Sequence, residues 1–502
     1  MGVEAYRQLE AQQRRIGVLD GISSVLGWDR SVMMPDGGAP ARGEQLALLS
    51  VLAHEFVTAP ERGDLIAAAQ EHEDELDAWQ RANLSEISHS YKRATALAPD
   101  LVERLALAAS DTEFAWRRAR EDNDFAAVAG KLDGLLALVR EEAAALGGVL
   151  NLAPYDALLD GYDRGLRRAH FAEHFDDLAR VLPPLLDRVL EVQGTQGAAL
   201  PLPGPFPVAR QEALSRALVE RLGFDFGHGR LDVSHHPFSS GGPGDARMTT
   251  RYEEGEFVQA LMATVHETGH SLYTLGQPAQ WRYQPVGAAR GMVLHESQSL
   301  SLEMQLARSP SFLSFLAPFA AEYFAGTGPA WSVENVRKHV HQVSRGLIRV
   351  FADEVTYPLH VILRFKLEQQ LIDGTLNVGD LPEAWRDAMR THLGVVPEND
   401  RQGCLQDIHW YSGAFGYFPT YTLGAMAAAQ LFAAAVRECA EIMSEASDGR
   451  AGTLLGWMRR NVHERGASCS TQEILQDATG ERLGTAAFIA HLRARYLGAI
   501  ET

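Results

Sequence analysis

Apolar residues recur every three or four positions through most of the chain, with Glu, Arg and Gln between them, and that period restricts it to packed amphipathic helices. From residue 4 to about residue 150 the pattern reads as consecutive helices, broken at Pro35-Asp36-Gly37-Gly38, Pro60, Pro99-Asp100 and Gly147-Gly148. Another helical stretch near 168–192 precedes 194–207, where Gly and Pro concentrate and mark a linker. Helical patterning resumes at Glu253 and continues to the C-terminus, with breaks at Gly326-Thr327-Gly328, Pro397 and 413–419. Only 228–252 differs: 230–234 and 247–252 read as short strands around a Gly-rich turn at 239–244, which predicts one small antiparallel sheet. The expected fold is therefore all-α with a single small sheet. It forms one helical unit over 1–502, with sub-halves of about 1–200 and 208–502 on either side of the linker.

Charge and cysteine usage narrow the function. Lys and Arg number 46 against 65 Asp and Glu, a net charge of −19, and only Lys92, Lys131, Lys338 and Lys366 are lysines. Such a chain is ill suited to nucleic acid or to an anionic membrane surface. Cys404, Cys439 and Cys469 form no CxxC pair and no even-numbered framework, so neither disulfides nor a thiolate metal site is expected. The first residues lead into a charged stretch at 8–15 instead of an apolar signal region, and Tyr6 fails the myristoylation pattern, so a cytoplasmic location is expected. The Ala-rich run at 425–435 is about half the ~20 residues of a membrane span and belongs in a packed helix.

The chemistry concentrates in His266-Glu267-Thr268-Gly269-His270, on a helix predicted over 253–275. Its two histidines are one turn apart, separated by ~6 Å along the axis and ~40° around it, so both imidazoles reach one ion. Glu267 is ~100° around from His266 and flanks that ion, where it suits a base that takes a proton from activated water. Zinc fits this use, because it binds imidazole and carboxylate, has no redox chemistry and lowers the pKa of water to ~7. Cobalt is a possible substitute. The pairs His54-Glu55, His72-Glu73, His295-Glu296 and His463-Glu464 lack a second His four residues beyond the first. His170 and His174 have the spacing, but Glu173, Asp176 and Asp177 around them describe a solvated helix face. Tyr273 and Gly276 stand where a metzincin would continue its motif, so the third ligand is a more distant carboxylate. Glu296 opens a later apolar-periodic helix and is the first candidate; Glu303 and Asp353 are others, and Glu296 also reads as an ordinary first-turn acid.

Six separated segments together resemble the carboxypeptidase Taq family of zinc metallocarboxypeptidases. They are His236-Pro237-Phe238, Asp245-Ala246-Arg247-Met248-Thr249, the HExxH at 266–270, His295-Glu296-Ser297-Gln298, Ile348-Arg349-Val350-Phe351-Ala352-Asp353, and Gly403-Cys404-Leu405-Gln406-Asp407-Ile408-His409-Trp410. The similarity extends through 28–55, 155–165 and 415–423 and so covers nearly the whole chain. It implies a mostly helical fold with a deep cleft between two halves, similar in plan to angiotensin-converting enzyme and the neurolysin-like peptidases. It further implies release of single residues from the C-termini of peptides, Glu296 as third ligand, and a homodimer. Phe351 departs from the pattern where an acidic residue is expected, which bears on substrate preference and not on the metal.

An exopeptidase of this kind needs a cation or strong donors for the free carboxylate, and Arg349 is the first choice; it could instead pair with Asp353 one turn on. Arg247, with Asp245 nearby, reads as a brace for the small sheet. His236, His409 and Tyr421 are candidate donors to substrate or oxyanion, or else structural groups. Gln406 and Asp407 are expected to orient the metal ligands from behind. An endo-acting oligopeptidase on the same site and a silent helical scaffold are the competing readings.

Overall fold

The structure, a computed structural model, describes residues 2–242 and 244–498. Met1, Pro243 of the expected turn and 499–502 at the end of the expected unit lie outside the described residues. Helices dominate, beginning with α1 (Gly2–Val32) and α2 (Ala39–Thr58), which are separated at Pro35-Asp36-Gly37-Gly38 as the sequence indicates. Pro60 and Pro99 each open a helix, where a missing N–H costs nothing. Gly147-Gly148 does not break its helix. The chain leaves that helix at Asn151 in the left-handed conformation, and Gly147 is needed because Leu152 O approaches to 2.7 Å of where a Cβ would stand.

The chain packs as two compact units, and each takes three separate stretches of sequence. Unit 1 holds Met1–Ala94, Ala198–Val340 and Ala427–Leu483; unit 2 holds Thr95–Gly197, His341–Met426 and Gly484–Thr502. The Gly/Pro-rich stretch at 194–207 coincides with one of the switches between them, so the division is not simply 1–200 against 208–502. Composition cannot show the others, because two fall inside helices, Ala78–Ala96 and Pro419–Glu438, where no turn chemistry marks them. No helix among the described residues is long and apolar enough to cross a membrane.

Unit 1 contains the sheet, of strands β1 (Gly229–Val233), β2 (Ser239–Gly242) and β3 (Asp245–Thr250) in the order β1-β3-β2. The two strands expected from the sequence are present, but they pair parallel, with Arg230 opposite Arg247. The reason is β2. The stretch read as a turn is itself a strand, hairpinned antiparallel onto β3 with Ser239 opposite Met248, so the chain reverses twice between β1 and β3 and these two run in the same direction. Leu231, Ala246 and Met248 pack with Val219 and Phe224 in a small core under the sheet. On α1, the buried Trp28 lies beneath two guanidiniums, Arg230 at 4.7 Å and Arg247 at 4.8 Å from its ring. Arg247 is also bound by Asp245 at 2.7 Å, so it braces the sheet as expected.

Against the sheet lies α3 (Val258–Leu275), buried nearly all round. Glu256 accepts from the N–H groups of Val258 and Gln259 and so satisfies donors of its first turn, and Thr264 and Thr268 donate back to the carbonyls of Ala260 and Thr264. Beside it runs α4 (Met292–Leu300), continued by a π-helical stretch, Ser301–Ala307. A Cβ on Gly269 would stand 2.5 Å from both Gln298 O and Ser299 Cα, so only glycine lets the two backbones meet there.

Candidate metal centre

That close approach sets the site. His266 and His270 lie one turn apart on α3, and Glu296 is in the middle of α4, past its first turn. Glu296 Oε2 lies 3.9 Å from His266 Nε2 and 3.6 Å from His270 Nε2, and one donor atom from each of the three residues falls within 4.8 Å of the others. A tetrahedral zinc shell places its donors about 3.4 Å apart, so two imidazoles and one carboxylate in this arrangement suit such an ion. Each imidazole turns its other nitrogen away: His266 Nδ1 is 3.1 Å from Glu303 Oε2, and His270 Nδ1 is 2.7 Å from His295 Nδ1. Glu303 is in turn held by Arg308 at 2.5 Å.

The electrostatics favour a cation. Burial alone would lower the pKa of His266, yet Glu296, Glu303 and Glu267 together drive it up to about 10. Glu267 is raised to about 7, first by burial and then by Glu296 and Glu303, against His266 and a hydrogen bond from the Ser239 hydroxyl on β2. A carboxyl poised near neutrality beside the converging donors is equipped to accept and return a proton.

Unit 2 assembles a second polar cluster. Arg349 sits in a single turn, Arg349–Phe351, with its main-chain N–H bound to Gln406 Oε1 at 2.9 Å. Its guanidinium gives Nε and Nη2 to Asp407 Oδ1 at 3.0 and 2.8 Å and Nη1 to the Tyr357 hydroxyl at 2.7 Å. Arg364, on α5 (Tyr357–Asp373), holds the other oxygen of Asp407 at 2.7 Å through Nε. Two buried guanidiniums thus share one carboxylate. Burial would raise Asp407, but Arg364 and Arg349 hold it well below the usual carboxylate range. His409 packs its ring 4.4 Å from that of Phe418 and places Nε2 3.3 Å from the hydroxyl of Tyr421, at the start of α6 (Pro419–Glu438). Burial first, then Arg349 and Arg364, lower its pKa to about 4, and its Nδ1 is buried without a partner.

Residues 8–496 match the model of the carboxypeptidase Taq (M32) metallopeptidases. The chain belongs to that family. As an M32 metallocarboxypeptidase it comes with a divalent metal and peptide substrates. It is similar over 98% of both chains to thermostable carboxypeptidase 1 of Thermus thermophilus, at 37% identity. Among solved structures, Trypanosoma cruzi metallocarboxypeptidase 1 superposes with a TM-score of 0.96 at 40% identity, covering 98% of this chain and 99% of that one. The M32 carboxypeptidase of Deinococcus radiodurans gives 0.92 at 33% identity, over 98% and 99%.

Several residues of this M32 chain stand elsewhere than the sequence suggests. Asp353 does not pair with Arg349: it accepts from the main-chain N–H groups of Ser344, Val355 and Thr356, ahead of α5, and so serves neither as Arg349's partner nor as a metal ligand. A helix shared by Arg349 and Asp353 was the premise of that pairing, and the chain forms only a short turn there. Gln406 and Asp407 brace Arg349 instead of metal ligands. Glu303 stands behind His266, which is a place the spacing could not distinguish from a ligand's. His236 is exposed, and its main-chain oxygen accepts from the Ser234 hydroxyl at 2.5 Å. Spacing did not single out His295, Arg308, Arg364 or Ser239; the one local signal was that His295 immediately precedes Glu296.

Proposed function

We propose that this chain is a zinc carboxypeptidase that releases single residues from the free C-termini of peptides, with His266, His270 and Glu296 as ligands and Glu267 as base. The observation that carries the reading is the convergence of those three side chains beside a buried carboxyl raised to about 7. Zinc held there, with cobalt as a substitute, supplies Lewis acidity to water and to the peptide carbonyl. Glu267 takes a proton from water as the water oxygen bonds to the carbonyl carbon of the last peptide bond. When the C–N bond breaks, Glu267 returns that proton to the leaving amine. His236, His409 and Tyr421 are the donors assigned to substrate or oxyanion; His409, held neutral, can give one N–H.

Exopeptidase action is supported by charge. With one carboxylate between Arg349 and Arg364, the cluster keeps an excess positive charge that a terminal carboxylate would balance, and Arg349 is assigned as its clamp. The same reading has the enzyme act as a cytoplasmic homodimer, in keeping with the family and with three cysteines that are all free thiols. Wild-type enzyme should cleave a free-acid peptide one residue at a time, lose that activity with a chelator, regain it with zinc, and leave the amidated peptide nearly untouched. Internal cleavage of both peptides would instead make it an endo-acting oligopeptidase.

A further inference from the structure

In unit 2, one face of α5 grips the chain on both sides of His409. Arg364 and Glu368 are four residues apart on that helix, so their side chains leave neighbouring turns of one face, about 6 Å apart along the axis. Arg364 Nε gives to Asp407 Oδ2 at 2.7 Å, two residues before His409. Glu368 Oε2 accepts from the Trp410 indole N–H at 2.8 Å, one residue after it. The other oxygen of Glu368 accepts twice, from the main-chain N–H of Gly416 and from the Tyr155 hydroxyl, both at 2.7 Å. Beyond the single turn His409–Ser412 the chain passes through left-handed glycines at 413 and 416, and no helix or strand fixes it until Pro419. His409 depends on this segment at both ends: its backbone precedes Trp410, and its ring lies 4.4 Å from that of Phe418 with Nε2 toward Tyr421.

On the reading that His409 donates to substrate or oxyanion, we propose that Glu368 is a positioning residue for it: by tying Trp410 and Gly416 to α5, Glu368 fixes the turn that carries His409 and so the direction in which its ring faces Tyr421. Glu368 is fully buried and all three of its donors are neutral. Burying a carboxylate is costly, and burial pushes this one up to about 7 against the pull of its donors. The donors explain why a carboxylate stands there, since both of its oxygens accept. A glutamine keeps one acceptor oxygen and must turn its NH2 on at least one N–H donor. Trp385 adds to the grip, with its ring 4.5 Å from the Arg364 guanidinium and edge-on to the Trp410 ring at 5.9 Å, and Phe415 stacks on Trp410 at 6.1 Å. With the indole packed in this way, a shift of Trp410 reaches the adjoining backbone of His409.

The test is a double-mutant cycle read in kcat/KM on a free-acid peptide. Wild type, Glu368→Gln, His409→Ala and the double mutant are each checked for zinc content and Tm, then assayed well below the lowest Tm. E368Q is expected to lose about 10–100-fold while keeping its zinc, as when a group remote from the chemistry lets a reacting partner drift. In the H409A background the same change should cost no more than about threefold, because the group that Glu368 positions is gone. A residue that merely stabilised unit 2 would lower Tm and leave the kcat/KM of the folded enzyme alone. Wild-type kcat/KM in E368Q while H409A is impaired, or an equal loss from E368Q with and without His409, would overturn the proposal and leave the role of His409 standing. Wild-type kcat/KM in H409A would overturn that role itself. If E368Q does not fold, Tyr155→Phe replaces it in the cycle. That change removes one donor only and should cost about 3–10-fold, and wild-type kcat/KM in Y155F counts against the proposal.

Discussion

The metal centre and the arginine cluster use the same kinds of side chain to opposite ends. Around His266 and His270, three carboxylates, Glu267, Glu296 and Glu303, face one guanidinium, Arg308; around Asp407, two guanidiniums face one carboxylate. The first arrangement favours a cation and the second an anion. They also differ in how the chain delivers them. Both histidines come from one turn of one helix, whereas Arg349, Arg364 and Asp407 come from a turn, a helix and a loop.

If that contrast is right, removing a ligand should have the largest effect. Glu296→Ala should weaken zinc binding on the order of 1000-fold, about a third of the ~10–16 kcal/mol with which structural zinc is held. Glu303→Ala, which removes only the support of His266, should cost about 10–100-fold. Chelator competition measures both, and equal losses would erase the distinction between ligand and support. Next comes the anion side. Arg349→Ala should cost about 2–5 kcal/mol in kcat/KM on free-acid peptides and far less on the amidated versions, with zinc content unchanged, while loss of the buried pair with Asp407 lowers stability whichever substrate is used. An unchanged acid-to-amide ratio would make Arg349 a brace for Asp407 alone.

Asp407 sharpens the comparison through pH. Asp407→Asn should destabilise unit 2 by about 1.5–3 kcal/mol at neutral pH, since a charged acceptor of two guanidiniums is lost. Because the folded carboxyl is held well below its unfolded pKa of about 4, its contribution is fully present above that value and declines as pH falls below it. Urea unfolding at several pH values should therefore show wild type and D407N converging in acid; a constant gap would contradict the pairing. The smallest effect belongs to Phe351, which is 72% exposed. Phe351→Ser should change stability by no more than about 0.5 kcal/mol, while shifts in substrate preference read from a peptide library would show whether that surface meets substrate.

The same contrast explains what the sequence could disclose. Helical period, the i,i+4 histidines and the paired glycines and prolines are local, and local geometry follows from them directly. The sheet was legible as two strands, but its pairing depended on Ser239–Gly242 becoming a third, which a Ser-Ser-Gly-Gly run does not announce. Glu296 and Glu303 are seven residues apart, nearly two turns, so spacing puts both on one face; only the approach of α4 to α3 at Gly269 separates the proposed ligand from the carboxylate behind His266. Arg364 and Asp407 are 43 residues apart and carry no mutual signal at all.

The most direct test of the metal centre is Glu267→Gln, measured for zinc content and kcat on one preparation. The amide keeps the shape of the side chain and leaves His266, His270 and Glu296 untouched, but it cannot take a proton from water. The protein should bind one zinc per chain with wild-type affinity and lose about 10²–10⁴-fold in kcat. A zinc-replete Glu267→Gln enzyme that turns over at close to the wild-type rate would contradict the account at its centre.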